Sequence, residues 1–68
     1  MIARIKGRGN KWTVIVQGAL NPWRLAARIK HVINEPVKVV NETVRIPAND
    51  NDHAIRVRDA VDRVLAAE

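Results

Sequence analysis

The sequence predicts a small α+β domain in which an antiparallel sheet of about four strands forms one layer and two helices cover one face of it. Two observations support this fold. Apolar and polar residues alternate with a period of two in four short stretches, as they do in half-buried strands. Two other stretches carry apolar residues at helical spacing. The order is ββαββα, so we expect one domain over residues 1–68, with a ββα half over 1–34 and another over 35–68.

The first hairpin is predicted from alternating residues on both sides of a glycine-containing link. One side of the first strand is apolar: Met1, Ala3 and Ile5. The other side is mixed: Ile2, Arg4 and Lys6. In the second strand, the side expected to face the helices holds Trp12, Val14 and Val16. The linking sequence GRGN contains glycine and asparagine, which tolerate positive φ, and it predicts a four-residue loop.

The stretch LNPWRLAARIKHVIN has the start and stop signals of a helix. Asn21 can cap the free backbone amides, and Pro22 suits the first helical position because it has no N–H. Leu20 and Leu25 have the spacing of a hydrophobic staple across this cap. Pro36 predicts that the helix ends near Asn34, because the residue before a proline disfavours the helical conformation. The apolar stripe expected to face the sheet consists of Leu25, Ala26, Ile29, Val32 and Ile33.

Residues 37–46 predict a second hairpin that turns at Asn41 and Glu42. Its expected inward side consists of Val37, Val39, Val44 and Ile46. Glutamate is unfavourable in a tight turn that requires positive φ, so a single long strand is the alternative. The polar run ANDND then precedes the last helix, with Asp50 or Asp52 as its cap. The apolar stripe of this helix consists of Ala54, Val57, Val61, Val64 and Leu65.

Charge is distributed unevenly along the chain. Twelve Lys and Arg residues against seven Asp and Glu residues give a net charge of +5 and a pI near 10.8. Residues 1–34 contain seven basic residues and no acid, whereas residues 35–68 contain five basic and seven acidic residues. Such asymmetry is typical of proteins that bind a polyanion. The alternative is that the basic residues only keep a small protein in solution.

The residue inventory argues against an enzyme, a metal site or a cofactor. The chain has no Ser, Cys or Tyr, so its only hydroxyl groups are those of Thr13 and Thr43. Nucleophilic catalysis needs an activated hydroxyl, thiol or amine beside a base. We expect His31 to be exposed and His53 to lie at a helix start, without a motif-like spacing to an acid. Residues 50–52 lack the further oxygen ligands of a calcium loop. We therefore expect no catalytic residue, no metal and no cofactor.

The open face of the sheet is the first candidate binding surface. Its expected basic residues are Arg4, Lys6, Lys11, Lys38 and Arg45. Arg8 lies in the predicted loop KGRGNK, which can present backbone amides to a phosphate or insert Arg8 into a minor groove. The alternative is a plain hairpin, because the turn itself requires glycine. No aromatic residue is expected on this face, so we do not expect it to stack on bases.

The first helix is the second candidate surface. The residues expected to bind there are Trp23, Arg24, Arg28 and Lys30. Arg24 and Arg28 are four residues apart, and like charges at this spacing destabilise a helix by about 0.2–0.5 kcal/mol per pair. The row therefore indicates a binding role, unless Glu35 or Glu42 neutralises it in the fold. Trp12, in contrast, is expected to anchor the core.

Two expectations about function follow from these surfaces. The first is a small non-enzymatic protein, accessory or regulatory, that binds DNA or RNA through phosphate contacts of Lys6, Arg8 and Lys11. Further phosphate contacts come either from Arg4 and the open face of the sheet or from the basic residues of the first helix. The second is a protein-binding module or inhibitor, of the kind that phages and mobile elements encode, which docks on an acidic partner surface through Trp23 and the basic helix row.

Self-association and location complete the expectations. A third possibility is a homodimer or larger homo-oligomer that associates through Ile2, Ile15 and Val40 on the sheet. No stretch reaches the roughly 20 apolar residues needed to span a bilayer. The apolar run WTVIVQGAL leads to no signal-peptide cleavage site. We therefore expect a cytoplasmic protein that has no membrane partner.

Overall fold

The computed structural model describes residues 2–67, and of Ile2 it describes only the backbone. The elements are β1 (Ile2–Arg8), β2 (Lys11–Gln17), α1 (Pro22–Ile33), β3 (Lys38–Val40), β4 (Thr43–Ala48) and α2 (Asn51–Ala66). This ββαββα order and the single antiparallel sheet confirm the predicted fold class. The positions predicted for Met1 and for the Ile2 side chain lie outside the described residues.

The two hairpins join through β2 and β4, which gives the strand order β1-β2-β4-β3. Val14 lies opposite Ile46 and Val16 opposite Val44, and all four side chains are fully buried. Because side chains alternate between the two faces of a strand, this register turns the apolar sides of both hairpins toward the helices. The two ββα halves therefore contribute to one sheet and one core.

The helices cover the apolar face of the sheet, α1 over β3 and β4 and α2 over β1, β2 and β4. The Arg24 N–H donates to Asn21 Oδ1 at 3.1 Å, so the predicted cap of α1 is confirmed. The His53 N–H donates to Asp50 Oδ1 at 2.7 Å, which makes Asp50 the cap of α2. Buried residues of both helices complete the core: Leu25, Ala26, Ile29, Ala54, Val57, Val61 and Val64.

Two apolar residues of the α1 region are exposed, contrary to the prediction. Leu20 is fully exposed, so the staple with Leu25 does not form. Gly18 precedes it with a φ of +82° in the connection between β2 and α1. Val32 is 60% exposed because it borders a groove between α1 and α2 instead of packing on the sheet. The helical spacing alone does not reveal this groove.

The first hairpin turns more tightly than predicted. Arg8 pairs with Lys11, so Gly9 and Asn10 form a two-residue turn. Gly9 supplies the positive φ of +64° that such a turn requires. The predicted four-residue loop is wrong because Gly7 and Arg8 continue the strand.

The second hairpin is confirmed, and the alternative of one long strand is wrong. Val40 pairs with Thr43 across a turn in which Asn41 has a φ of +49° and Glu42 a φ of +64°. Two successive positive φ values are the signature of a type I′ turn. Glu42 therefore adopts the conformation for which its residue type is unfavourable, because the flanking strands must pair.

Gly7 is required by the packing of Trp12. The half-buried indole packs against the edge of the core, not within it, and its Nε1–H donates to the Gly9 carbonyl oxygen at 2.7 Å. A Cβ atom on residue 7 would lie 2.6 Å from the Trp12 carbons Cδ2 and Cε3 and from the Lys11 carbonyl oxygen. Any side chain at this position must therefore displace both the indole and the backbone of the neighbouring strand.

A histidine connects the segment after α1 to the start of α2. The Asn49 N–H donates to His53 Nδ1 at 3.0 Å, and His53 Nε2 lies 3.0 Å from Glu35 Oε1. Since Nδ1 accepts a hydrogen bond, Nε2 carries the proton and donates to Glu35. His53 lies at a helix start as predicted, but its bond to an acid 18 positions earlier in the chain was not predicted.

Gly7→Ala should lower the free energy of unfolding by about 1–3 kcal/mol, because the added methyl group overpacks the indole. In a Trp23→Phe background, Trp12 is the only tryptophan, and its fluorescence should shift to the red as it leaves the core edge. Urea unfolding followed by fluorescence measures both effects. Lys6→Ala, on the opposite face of the same strand, is the control and should stay within about 0.5 kcal/mol. Equal stability and equal emission of the two variants would contradict this role of Gly7.

His53→Ala should lower the free energy of unfolding by about 1–2 kcal/mol, because the Asn49 amide and the Glu35 carboxylate each lose a partner. Thermal and urea unfolding measure the loss. His31→Ala is the matched control, since His31 is exposed on α1, and it should change stability by less than about 0.5 kcal/mol. Equal losses in the two variants would show that the His53 contacts do not stabilise the fold.

Candidate functional site

All basic residues of the strands lie on the face of the sheet that is turned away from the helices. This surface, here named the basic sheet face, consists of Arg4, Lys6, Arg8, Lys11, Lys38 and Arg45, and each of these residues is exposed. The alternating positions that face the helices carry no charge: Ala3, Ile5, Gly7, Trp12, Val14, Val16, Val39, Val44, Ile46 and Ala48. Strand alternation therefore separates the basic residues completely from the core.

The register of the sheet brings distant basic residues into one row. Arg4 lies opposite Ile15, Ile15 opposite Arg45, and Arg45 opposite Lys38. The row thus crosses all four strands, with neighbouring strands roughly 5 Å apart. Ile15 is half-buried between the two arginines. The predicted members of this face, including Lys38 and Arg45 from the second half of the chain, are therefore brought together.

A shallow concavity of about 400 Å³ lies at the hairpin end of this face. It is bordered by Lys6, Arg8, Lys11 and Arg45, with Thr13 and Ile15 in its floor. Cations spaced roughly 7 Å along a strand and roughly 5 Å across strands can contact separate oxyanions of one extended ligand. The concavity is therefore suited to a chain-like anion.

No acidic residue compensates this charge within the sheet. None of the strands contains Asp or Glu, and the acids of residues 2–67 lie in α2, at its cap or in connections. The contacts of Glu35 with His53 and of Asp59 with Arg58, the latter at 3.6 Å, belong to the helical layer. α1 is also free of acids, whereas α2 carries three basic and three acidic residues. The six basic residues of the strands, with no acid among them, produce a positive potential that attracts anions.

The glycine-containing segment is not a separate phosphate-binding loop. Gly7 and Arg8 pair with Trp12 and Lys11 in the strand ladder. Arg8 therefore extends the basic sheet face, and the predicted projection of Arg8 from a loop tip is wrong. The error arose because glycine indicated a turn, whereas Gly7 leaves space for the Trp12 ring.

The surface predicted on α1 divides into two parts. Trp23, Arg24, Arg28 and Lys30 are all exposed. Trp23 and Lys30 lie about 20° apart around the helix axis, and both are at least about 100° from Arg24 and Arg28. Only the two arginines border the groove between the helices. Glu35, one of the two acids that the alternative required to neutralise the row, contacts His53.

The groove between α1 and α2 was not predicted. It has a volume of about 650 Å³, and Val32, Arg63, Val64 and Ala67 contribute to its walls together with the arginines of α1. The sequence signal was present but ambiguous: Arg24, Arg28 and Val32 recur every four residues and mark one side of α1. Val32 was assigned to the core because an apolar residue at helical spacing usually belongs there.

The His53 ring and the Thr43 hydroxyl have structural roles, whereas His31 is exposed and borders the groove between the helices. Both ring nitrogens of His53 form hydrogen bonds within the protein, to Asn49 and Glu35. The Thr43 hydroxyl donates to the Asn41 carbonyl oxygen at 3.4 Å, inside the second turn. Thr13 lies in the floor of the concavity, beside lysine and arginine side chains. Within residues 2–67, no three His, Asp or Glu side chains are grouped so that they could hold a metal ion.

Comparison with known proteins adds no assignment for this surface. No protein family, no curated protein and no solved structure matches the chain. Between residues 2 and 67, neither helix is both long enough and apolar enough to cross a membrane. The basic sheet face and the α1–α2 groove are therefore interpreted from their own chemistry.

Proposed function

We propose that the protein binds DNA or RNA by contacting phosphates with the basic sheet face. One observation carries this proposal: six basic residues and no acid lie on the strands, and all six are on the outer face. Hydrogen bonds from Lys and Arg to phosphate are charge-assisted and short. Neutralising phosphates also releases condensed counterions, which supplies most of the affinity of sequence-independent binding.

The composition of the face favours contacts to the backbone of the nucleic acid over contacts to its bases. The only aromatic residues of the chain are Trp12, on the inner side of the sheet, and Trp23, on α1. Single-strand binding proteins that hold bases on a sheet use aromatic side chains for stacking. The outer face instead offers Thr13, Gln17 and Thr43 between its cations. A sequence-tolerant accessory or regulatory role, without catalysis, fits this surface.

A homodimer formed through the sheet is less compatible with this charge. Ile15 and Val40 are the outer apolar residues that such contacts would use within the described chain. Arg4 and Arg45 flank Ile15, and Lys38 is two positions from Val40 on the same face. Stacking two copies face to face would oppose two sets of six cations. Like charges in close apposition cost several kcal/mol (order of magnitude) at an interface. Self-association through this face therefore requires an anion between the copies.

Lys6→Gln combined with Arg45→Gln should weaken binding to a labelled DNA duplex about tenfold at moderate salt. The slope of log affinity against log salt should fall by about two, because two phosphate contacts are lost. Fluorescence anisotropy titrations over a range of salt concentrations measure both quantities. Single-stranded RNA, measured in parallel, shows which nucleic acid binds more tightly.

Arg24→Gln combined with Lys30→Gln is the matched control, since it removes the same charge from exposed positions of α1. Its affinity should stay within about threefold of the wild type and its salt slope should be nearly unchanged. If both double variants weaken binding equally, overall charge and not the basic sheet face drives the interaction. If the wild type does not bind either nucleic acid at low salt, the proposal is wrong.

Docking on an acidic protein is the second candidate function, and the exposed apolar residues around the start of α1 favour it. Trp23 is 71% exposed and Leu20 is fully exposed, with Lys30 on the same side of the helix as the indole. Tryptophan is enriched among the residues that dominate interface energetics. In this case the basic residues would orient the partner and Trp23 would supply much of the affinity.

Trp23→Ala should abolish retention of such a partner on immobilised protein, while nucleic-acid affinity changes by less than about twofold. Val40→Ala is the control, because Val40 is an exposed apolar residue on the other layer. Quantitative affinity capture with the wild type and both variants tests this. Docking through the start of α1 would be contradicted if Val40→Ala also failed to retain the captured protein. It would equally be contradicted if retention of no captured protein depended on Trp23.

A further inference from the structure

The groove between α1 and α2 has the size and composition of a small-ligand site. Its volume of about 650 Å³ lies within the range of roughly 300–1,000 Å³ that is typical of ligand pockets. It lies on the helical layer, on the opposite side of the protein from the basic sheet face. The site is therefore separate from the surface proposed to bind nucleic acid.

The floor of the groove is apolar, and small residues leave it open. Ala27 on α1 and Ala67 after α2 leave space, and Val32 and Val64 border it. Val32 is 60% exposed, although it is an aliphatic residue near the end of α1 that borders the second helix across the groove. Covering this floor with an apolar molecule would remove hydrocarbon surface from water, which is favourable in proportion to the area covered.

The rim of the groove is cationic on both sides. Arg24 and Arg28 line it from α1, and Arg63 lines it from α2. No acidic residue is among the residues of 2–67 that border the groove. Within the same part of the chain, Arg24 and Arg63 are in none of the ion pairs formed by the side chains. A guanidinium group binds a carboxylate through two parallel hydrogen bonds, so this rim is complementary to an organic acid.

We infer that the groove binds a small amphipathic carboxylic acid. Its apolar body covers the floor between Val32 and Val64, and its carboxylate contacts Arg24 and Arg63 at the rim. The dimensions favour a small molecule over a helix of a partner protein. From Arg24 to Val32, the α1 wall is about 12 Å long. This is little more than two helical turns, the shortest span over which a docked helix places its anchors, and a stable protein interface must also bury about 1,000 Å² or more in total.

Dodecanoate, used below its micellar concentration, is the probe that tests this inference. We expect it to bind with a dissociation constant below about 1 mM. In ¹H–¹⁵N correlation spectra, the shift changes should concentrate on residues 24–32 and 63–67. Acetate has the same head group without the apolar body, and dodecyltrimethylammonium has the same chain with the opposite charge. Both should bind at least about tenfold more weakly.

Variants on the two sides of the ligand give a second test. Arg63→Gln should weaken dodecanoate binding about tenfold by removing a charge-assisted contact. Val32→Gln should weaken it about fivefold by removing part of the apolar floor. Arg56→Gln removes the same charge from the same helix outside the groove and should stay within about twofold. All three positions are exposed, and unchanged spectral dispersion verifies that the variants fold.

Three results would overturn the inference: no dodecanoate binding up to about 1 mM, equal binding of the cationic amphiphile, or equal weakening by Arg56→Gln and Arg63→Gln. The pair Lys6→Gln and Arg45→Gln should leave dodecanoate binding within about twofold, because these residues lie on the other layer. Failure of the nucleic-acid proposal and failure of this inference are therefore distinguishable.

Discussion

The pairing of β2 with β4 is the constraint on which the rest of the structure depends. It places Val14 opposite Ile46 and Val16 opposite Val44, and these four fully buried residues form the centre of the core. Side chains in a strand alternate between faces, so a shift of one residue would exchange every inner residue of a strand for an outer one. In β4 that shift would bring Arg45 toward the helices. Burial of a charge without a partner is costly enough to exclude this register.

The same pairing determines where the positive charge lies. With the valines and Ile46 inward, the lysines and arginines of all four strands must point outward. Arg4 and Arg45, 41 positions apart in the chain, become members of one row only through the strand between them. Exposed cations of this kind cost little stability, because water and salt screen them. The packing of the core and the potential of the outer face are therefore two results of one register.

Features that depend on local periodicity could be predicted from the sequence, and features that depend on tertiary contacts could not. The alternation assigned Arg4, Lys6 and Lys11 to the outer face, and residue type predicted the cap at Asn21 and limited the cap of α2 to Asp50 or Asp52. Arg8 was assigned to a loop because the reason for Gly7, the neighbouring Trp12 ring, lies across the hairpin. The Glu35–His53 contact and the α1–α2 groove require the packing of the helices, which no local pattern specifies. The division of the α1 surface into two sides follows from helical spacing alone, but only the packing of α2 determines which side borders the groove.

The two proposed surfaces should act independently at physiological salt. They lie on opposite layers of a molecule whose smallest dimension is 18 Å, whereas the Debye length in such a solution is about 8 Å. A charge on one layer therefore has little effect on an anion bound at the other. At low salt the screening length grows to tens of ångströms, roughly 30 Å at 0.01 M, and the net charge of +5 acts on both sites at once. Differences between the two layers are thus clearest in binding measurements made near physiological ionic strength, where local contacts dominate over total charge.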